Sequence, residues 1–114
     1  MLPKEKRLNL KTDFKWVASG KPIDTQFVKL FVKLGENQNP RIGITSSSKV
    51  FKKAVDRNRA RRLVSAAIQS LYNQLPENIN IVALPKRVVI SVKSGDVLME
   101  LEEVLVKEEV ISRK

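Results

Sequence analysis

The clearest pattern of hydrophobic and polar positions runs through residues 60–75. Apolar residues recur there at intervals of three and four, at positions 60, 63, 64, 67, 68, 71, 72 and 75. This spacing places them on one face of an α-helix. Pro76 ends the pattern, because a proline cannot continue a helix. The repeat therefore predicts an amphipathic helix that packs on a core through one side.

A shorter helix is predicted over residues 12–20. Thr12 is a suitable N-cap, and a glycine follows at the exit. Phe14 and Val17 are three positions apart and share one face. Trp16 points elsewhere, and we interpret it as core or edge packing in preference to an exposed stacking ring.

Residues 27–34 alternate, and alternation predicts a β-strand with two different faces. One face is aliphatic: Val28, Leu30, Val32 and Leu34. The other interleaves rings and cations: Phe27, Lys29, Phe31 and Lys33. This second face is either covered, with the lysines reaching outward, or a platform on which bases stack while the lysines bind phosphates. A single strand does not decide between these two interpretations.

A second strand, predicted over 41–47, repeats this division. Arg41 and Thr45 point to one side of it and isoleucines to the other. If it pairs with 27–34 as a hairpin, Arg41 and Thr45 join the lysines and phenylalanines. Gly43 has no side chain, and we expect it to let a ligand approach the backbone.

The C-terminal part alternates between strand and helix patterns. Residues 79–84 predict a buried strand, and 87–92 could form another short one. From residue 94 onward a final helix is predicted, with Ser94 as its cap and an acidic face toward solvent. Its apolar stripe consists of Leu98, Leu101 and Leu105.

The charge of the chain is positive and unevenly placed. The formal net charge is +10 and the pI is about 10.2. Residues 1–62 hold 16 Lys+Arg and 5 Asp+Glu, whereas residues 63–114 hold 6 and 7. This distribution suggests a polyanionic partner, with a basic but unengaged surface as the alternative.

The cations concentrate where the long helix begins. Positive side chains oppose the helix dipole there, unless an anion binds. Only Asp56 is available nearby as an acidic partner. The pattern therefore predicts an anion-binding cluster, which we call the basic cluster: Lys49, Lys52, Lys53, Arg57, Asn58, Arg59, Arg61 and Arg62.

Composition excludes several classes of function. The chain has no cysteine and no histidine, which removes disulfides, thiolate zinc sites, thiol catalysis and the commonest general base. No apolar run approaches the ~20 residues of a membrane span. The N-terminus lacks the apolar region of a signal peptide. A cytoplasmic protein with one domain over 1–114 and no side-chain catalysis of its own is expected.

The stretch KVFKKAVDRNRARRL, at 49–63, resembles the signature of the bacterial ribonuclease P protein component. Supporting segments are LPKEKRL at 2–8, DFKWV at 13–17 and RIGIT at 41–45, in the order and spacing of that family. The resemblance covers nearly the whole chain. The Arg-Asn-Arg block carries most of its specificity, and the other segments alone are weak signals.

Three positions depart from the family pattern. Ser48 precedes Lys49 where the family usually has two adjacent basic residues. Ala18 stands where the first helix usually has a second aromatic residue. Pro85 occupies the position of a usual arginine, and the next two residues are basic.

The resemblance implies an α/β fold of the two-layer α+β kind. A small mixed sheet with flanking helices is expected in the order α-β-β-(β)-α-β-α, with a left-handed βαβ crossover against the general rule. It also implies an RNA-binding subunit that assists a catalytic RNA in the endonucleolytic removal of the 5′ leader from precursor tRNA. Catalysis would belong to that RNA and its Mg²⁺, with no catalytic residue, metal ligand or cofactor on this chain.

The resemblance also assigns the two basic surfaces. The basic cluster would bind the catalytic RNA, and the partners would be that RNA and precursor tRNA, with no membrane and no small-molecule substrate. The sheet face and first helix resemble the family's cleft for single-stranded leader, here Phe14, Phe27, Lys29, Phe31, Lys33, Arg41 and Thr45.

Two other functions are compatible with a basic chain of this length. A ribosomal-protein-like structural protein would bind ribosomal RNA and would not support leader cleavage. A self-sufficient nuclease would need paired carboxylates for metal ions, and Asp13, Asp24 and Asp56 are isolated in the sequence.

Overall fold

The computed structural model describes Pro3 and residues 6–111, which form three α-helices and four strands. Two 3₁₀ segments, Tyr72–Gln74 and Arg87–Ser91, flank the last strand. This arrangement confirms the predicted α+β class, and no helix among the described residues is long and apolar enough to cross a membrane. The elements are α1 Leu10–Ala18, β1 Lys21–Asp24, β2 Val28–Leu34, β3 Arg41–Ile44, α2 Ala54–Leu71, β4 Ile79–Pro85 and α3 Ser94–Lys107.

The four strands form one mixed sheet in the order β1-β2-β4-β3. β1 and β4 are both antiparallel to β2, and β3 is parallel to β4. The predicted hairpin between β2 and β3 is therefore wrong, because β4 lies between them. A parallel pair needs a crossover connection, and α2 provides it between β3 and β4.

The main core lies between one face of the sheet and helices α2 and α3. The predicted stripe is confirmed, since its eight positions from Ala60 to Leu75 are buried or half-buried, although α2 itself ends at Leu71 and the stripe continues into the next segment. The aliphatic face of β2 is confirmed except for Leu34, the last residue of the strand, which is 60% exposed. The largest fully buried side chains of this core include Ile23, Leu30, Ile42, Leu71, Ile79, Ile81 and Leu101.

Phe27 belongs to this main core, and its predicted place on the basic face is wrong. Its side chain is only 8% exposed, and its backbone N–H donates to the Glu100 carboxylate of α3 at 3.1 Å. β2 begins one residue later, at Val28. The Thr25 hydroxyl accepts hydrogen bonds from the N–H groups of Phe27 and Val28. The chain is thus still in a turn at Phe27, and the alternation of the strand does not extend to it.

Three local details at the ends of elements also differ from the predictions. α1 begins at Leu10 and is capped by the side chain of Asn9, not Thr12. In α3 the cap position is Lys93, not Ser94, and the carboxylate of Asp96 accepts the Lys93 N–H at 3.1 Å. Several polar residues within one turn can serve as caps, so the sequence alone does not select one.

The C-terminal part differs from its prediction in two further respects. Residues 87–92 form no strand: Arg87–Ser91 is a 3₁₀ segment, and both sides of the preceding strand β4 are already paired, with β2 and β3. The acidic residues at α3 are partly engaged, since Glu100 accepts the Phe27 N–H and Glu108, just after the helix, pairs with Lys21 at 3.0 Å. Leu101 and Leu105 of the predicted stripe are buried, with Val97 buried beside them and Leu98 half-buried.

Gly20 fixes the position of α1 on the sheet, and its replacement gives a first prediction. A Cβ there would lie 2.3 Å from the Val32 carbonyl oxygen and 2.9 Å from the Lys33 Cβ. Gly20→Ala should lower the free energy of unfolding by about 1–3 kcal/mol, because part of the obstacle is backbone. Gly95→Ala is the matched control: nothing lies within 4 Å of its Cβ position, and alanine favours the helix. Chemical denaturation of both variants checks this, and equal stabilities would contradict it.

Candidate nucleic-acid interface

The face of the sheet opposite the main core is covered only in part, by α1. Leu8, Val17 and Val82 are buried there in a small second cluster. Phe14 of α1 and Phe31 of β2 pack against this cluster and stay half-buried. The structure therefore brings Phe14 and Phe31 together on one surface, as the sequence predicted.

Strand register places the cations of this face beside the rings. Lys29, Phe31 and Lys33 follow one another on β2, and the Lys29 Nζ lies 5.3 Å from the centre of the Phe31 ring. Lys33 is opposite Asn80 of β4, and Asn80 is opposite Arg41 of β3. Arg41 thus reaches the same face as Lys33 across β4 and not through a hairpin. We call this surface, with Phe14, the ring face.

Trp16 lies at the edge of the ring face. The Lys33 Nζ lies 5.3 Å from the centre of the indole ring and donates to the Ser19 hydroxyl at 2.9 Å. The ring also approaches Gly35, where a Cβ would lie 2.9 Å from its Cη2. Trp16 is nevertheless 42% exposed. Edge packing, the favoured interpretation, is confirmed, and the exposed part of the ring also offers the aromatic surface that the alternative interpretation of Trp16 held.

Thr45 and Gly43, which the sequence also predicted on this side, are contacted by other parts of the protein. Thr45 follows β3, is half-buried, and donates its N–H to the Ala83 carbonyl at 3.1 Å. Gly43 is buried, and a Cβ there would lie 2.5 Å from the Leu10 Cδ2. The expectation that Gly43 lets a ligand approach is wrong, because Leu10 of α1 already fills that space.

Two arginines of the basic cluster hold neighbouring segments in place. α2 starts at Ala54, so the four arginines lie in its first turns. Arg57 is half-buried and donates to the Phe51 carbonyl at 2.8 Å, which fastens the preceding loop. Arg59 donates through Nε to the Ile90 carbonyl at 3.1 Å. Both side chains therefore contribute to the local structure as well as to the positive charge.

The remaining members of the basic cluster are more open. Arg61 donates to the Asn58 side-chain oxygen and is otherwise exposed. Arg62 is exposed and, within the described part of the chain, has no hydrogen bond or ion pair. The three lysines before α2 are exposed as well: Lys49, Lys52 and Lys53.

A groove of about 290 Å³ extends the basic cluster toward the C-terminal part. Lys52, Lys53 and Arg87 line it together with Asp56. Lys86, by contrast, already forms an ion pair, since its Nζ lies 2.8 Å from the Asp24 carboxylate. Of the two basic residues that follow Pro85, Arg87 is therefore the one available to a ligand. The sequence indicated both without distinguishing them.

The acidic side chains do not form a metal site in the described part of the chain. No group of three or more carboxylates comes together there. Asp24 is paired with Lys86, and Asp56 lies among the cations of the groove. The residues present therefore do not fit a catalytic metal centre within residues 6–111.

Comparison with known families identifies the chain. The sequence model of the family described as Ribonuclease P matches residues 2–109. The chain belongs to the ribonuclease P protein family. This membership supports a role in ribonuclease P, an endoribonuclease, and in tRNA processing.

Individual relatives and solved structures agree with this family. The ribonuclease P protein component of Pseudanabaena sp. is 33% identical over 113 residues, which cover 97% of both chains. That of Pseudoalteromonas atlantica is 37% identical over 84 residues, covering 73% of this chain and 69% of the relative. A mutant of the Staphylococcus aureus RNase P protein shares the fold at a TM-score of 0.81 and 19% identity, covering 95% of this chain and 92% of that one. The Thermotoga maritima RNase P protein does so at 0.76 and 24%, with coverages of 87% and 96%.

Proposed function

We propose that this chain is the protein subunit of a cytoplasmic ribonuclease P and that it binds two RNAs. The ribonuclease P RNA would bind the basic cluster, and the 5′ leader of precursor tRNA would bind the ring face. The observation that carries the leader assignment is the ring face itself, where half-buried Phe14 and Phe31 are flanked by Lys29, Lys33 and Arg41.

The ring face has the chemistry that single-stranded RNA needs. Aromatic rings stack on bases with little regard to base identity, and cations bind the phosphates that follow along the chain. Trp16 adds an exposed ring at one end, beside the Lys33 ammonium group. It supplies an aromatic surface on α1, where Ala18 replaces the usual second aromatic residue. Such a surface suits a leader of variable sequence.

The basic cluster has the chemistry of a phosphate-binding surface. Its exposed cations lie in the first turns of α2 and the preceding loop, where the helix dipole favours an anion. Arginine forks form paired hydrogen bonds with phosphate oxygens. A folded RNA supplies many phosphates at fixed positions, so this surface suits a large structured RNA.

The proposal assigns catalysis to the RNA and its Mg²⁺, not to this chain. The sequence has no histidine or cysteine, and a protein-held metal centre does not fit the described carboxylates. The chain would then contribute substrate binding and neutralisation of phosphate repulsion. Mg²⁺ would be held by the RNA, and no cofactor or small-molecule substrate is assigned to this chain.

Reconstitution tests this proposal. The purified chain is mixed with a bacterial ribonuclease P RNA and precursor tRNA at a low Mg²⁺ concentration that does not support the RNA alone. We expect the 5′ leader to be removed only when both components are present. A ribosomal-protein-like function predicts no such activation, and cleavage by the chain alone would indicate a nuclease.

Phe31→Leu should selectively weaken binding of precursor tRNA that carries a leader of several nucleotides. Leucine keeps apolar packing against the second cluster but cannot stack on a base. The loss should be about 1–3 kcal/mol in binding free energy for one stacked base. Binding of mature tRNA and of the ribonuclease P RNA should hardly change. Titration of the assembled complex with long-leader and leaderless substrates measures the difference.

Phe27→Leu is the matched control, because it makes the same chemical change in the main core. It should lower the melting temperature but leave the preference for a leader intact. A leader oligonucleotide should also change the fluorescence of Trp16, the only tryptophan in the chain. Equal losses for long-leader and leaderless substrates in Phe31→Leu would contradict the leader assignment.

A further inference from the structure

A groove lies along the outer edge of β3, between the start of α1 and helix α2. Its volume is about 350 Å³, within the range of small-ligand sites. The segment of residues 7–11 forms one wall, and Arg61 and Ser65 of α2 form the other. It is separate from the rings Phe14 and Phe31, which do not line it.

The interior of the groove is apolar and its rim is basic. Leu8, Leu10 and Ile44 contribute aliphatic side chains. The lining also includes three cations that end in solvent: Arg7, Lys11 and Arg61. A ligand with a flat apolar body and an attached anion matches this combination.

Ser65 supplies a polar group inside the groove. The residue as a whole is only 6% exposed, and its hydroxyl makes no hydrogen bond to the described residues. No side-chain oxygen in the described part of the chain is both buried and without a partner, so the Ser65 hydroxyl opens into the groove and can bond a ligand there. Ser65 lies four residues after Arg61, on the same side of α2, so its hydroxyl faces the interior while Arg61 lies at the rim.

The backbone of Ile44 supplies a second polar edge. The Thr45 N–H points toward β4, where it donates to Ala83, whereas the Ile42 carbonyl points outward and accepts the Leu8 N–H. Because N–H and C=O directions alternate along a strand, those of Ile44 also point outward, into the groove. Among the described residues, the N-terminal segment bridges β3 at Arg7 and Ile42, and then turns into α1. A backbone donor and a backbone acceptor thus face the groove that Ser65 also lines.

We propose that this groove binds one unpaired nucleotide of the ribonuclease P RNA. The base lies between the aliphatic walls, with its polar edge on the Ile44 backbone and the Ser65 hydroxyl, and its phosphate is bound by Arg61, with Arg7 and Lys11 nearby. This inference rests on the proposed function. Arg61 belongs to the basic cluster, so the occupant is assigned to the ribonuclease P RNA and not to the leader.

Substitutions at Ser65 test the groove without changing its charge. Ser65→Leu fills the interior and should weaken binding of the full chain to ribonuclease P RNA at least about tenfold. Ser65→Ala removes one hydrogen bond and should weaken it about fivefold. Ser70→Leu and Ser70→Ala are the matched controls, because Ser70 is exposed on the same helix and bonds only the Ala66 carbonyl. The slope of affinity against salt should stay the same in Ser65→Ala and in both Ser70 variants, since these changes leave the phosphate contact of Arg61 in place.

The outcomes separate this inference from the proposed function. If the unchanged chain does not bind the RNA, the proposed function fails. If it binds, but both Ser65 variants match their Ser70 controls, the groove holds no base and the inference is overturned. If the Ser65 variants lose leader discrimination and keep their affinity for the RNA, the assignment to ribonuclease P RNA is overturned. Thermal melting accompanies each measurement, and Ser65→Ala decides the result if Ser65→Leu does not fold.

Discussion

Raising the salt concentration from about 50 mM to about 200 mM should weaken binding to ribonuclease P RNA by about a thousandfold. Neutralising six or more phosphates releases that many condensed counterions, and the affinity then falls steeply with salt. The basic cluster has enough exposed cations for this number: Lys49, Lys52, Lys53, Arg59, Arg61 and Arg62, with Arg87 next to them. Filter binding or fluorescence anisotropy over a salt series measures the slope.

Single substitutions show which cations contribute to that slope. Arg62→Ala should weaken RNA binding and reduce the slope by about one, because Arg62 is exposed and has no partner in the described part of the chain. Lys107→Ala, at the end of α3, is the control and should leave the slope unchanged. Arg57→Ala is less informative, since it also removes the bond to the Phe51 carbonyl and frees the loop. A nearly flat salt dependence of the unchanged chain would contradict a phosphate-dominated interface.

Phe27→Ala should lower the free energy of unfolding by about 3–5 kcal/mol, which is the usual cost of deleting a buried phenylalanine side chain. Phe27 is packed in the main core and is only 8% exposed. Small domains are stable by only about 5–15 kcal/mol, so this loss is a large fraction of the total. All RNA-binding activities should fall together as the folded fraction falls. Urea denaturation, with binding measured on the same samples, checks both statements.

Phe31→Ala is the variant to compare with Phe27→Ala. Phe31 is half-buried in the smaller second cluster, so its truncation should cost less stability and more leader affinity. A stable Phe27→Ala variant with a selective loss of leader binding would reverse these two roles. Such a result would mean that Phe27 belongs to the ring face, and it would contradict the burial of Phe27 in the main core.

The ring face could be predicted from the sequence only in part. Alternation along β2 correctly placed Phe31 with Lys29 and Lys33, because successive side chains of a strand must point to opposite faces. Alternation could not show that the strand begins only after Phe27. That boundary depends on the Thr25 turn and on the Glu100 carboxylate of α3, which is remote in sequence.

The basic cluster also could be predicted only in part: its position follows from the sequence, but the contacts of its side chains do not. Its position at the start of α2 could be read from the sequence, since charge and apolar period are local properties. The individual partners could not be predicted. Arg59 bonds the Ile90 carbonyl, 31 residues away, and Arg87 joins Lys52 and Lys53 only because a 3₁₀ segment follows β4. Such contacts depend on how distant segments fold together.

The sequence by itself determined the family, the α+β class, the main helix, the three strands with strong patterns and the concentration of positive charge. These features follow from local period and composition, or from a signature that is contiguous in the chain. Only the tertiary structure decided that β4 separates β2 from β3, that β1 completes the sheet, that Leu10 fills the space above Gly43, and that a groove forms beside Ser65. Each of these depends on packing between segments that are far apart in sequence. The free energy of such packing is a property of surfaces that exist only once the chain has folded.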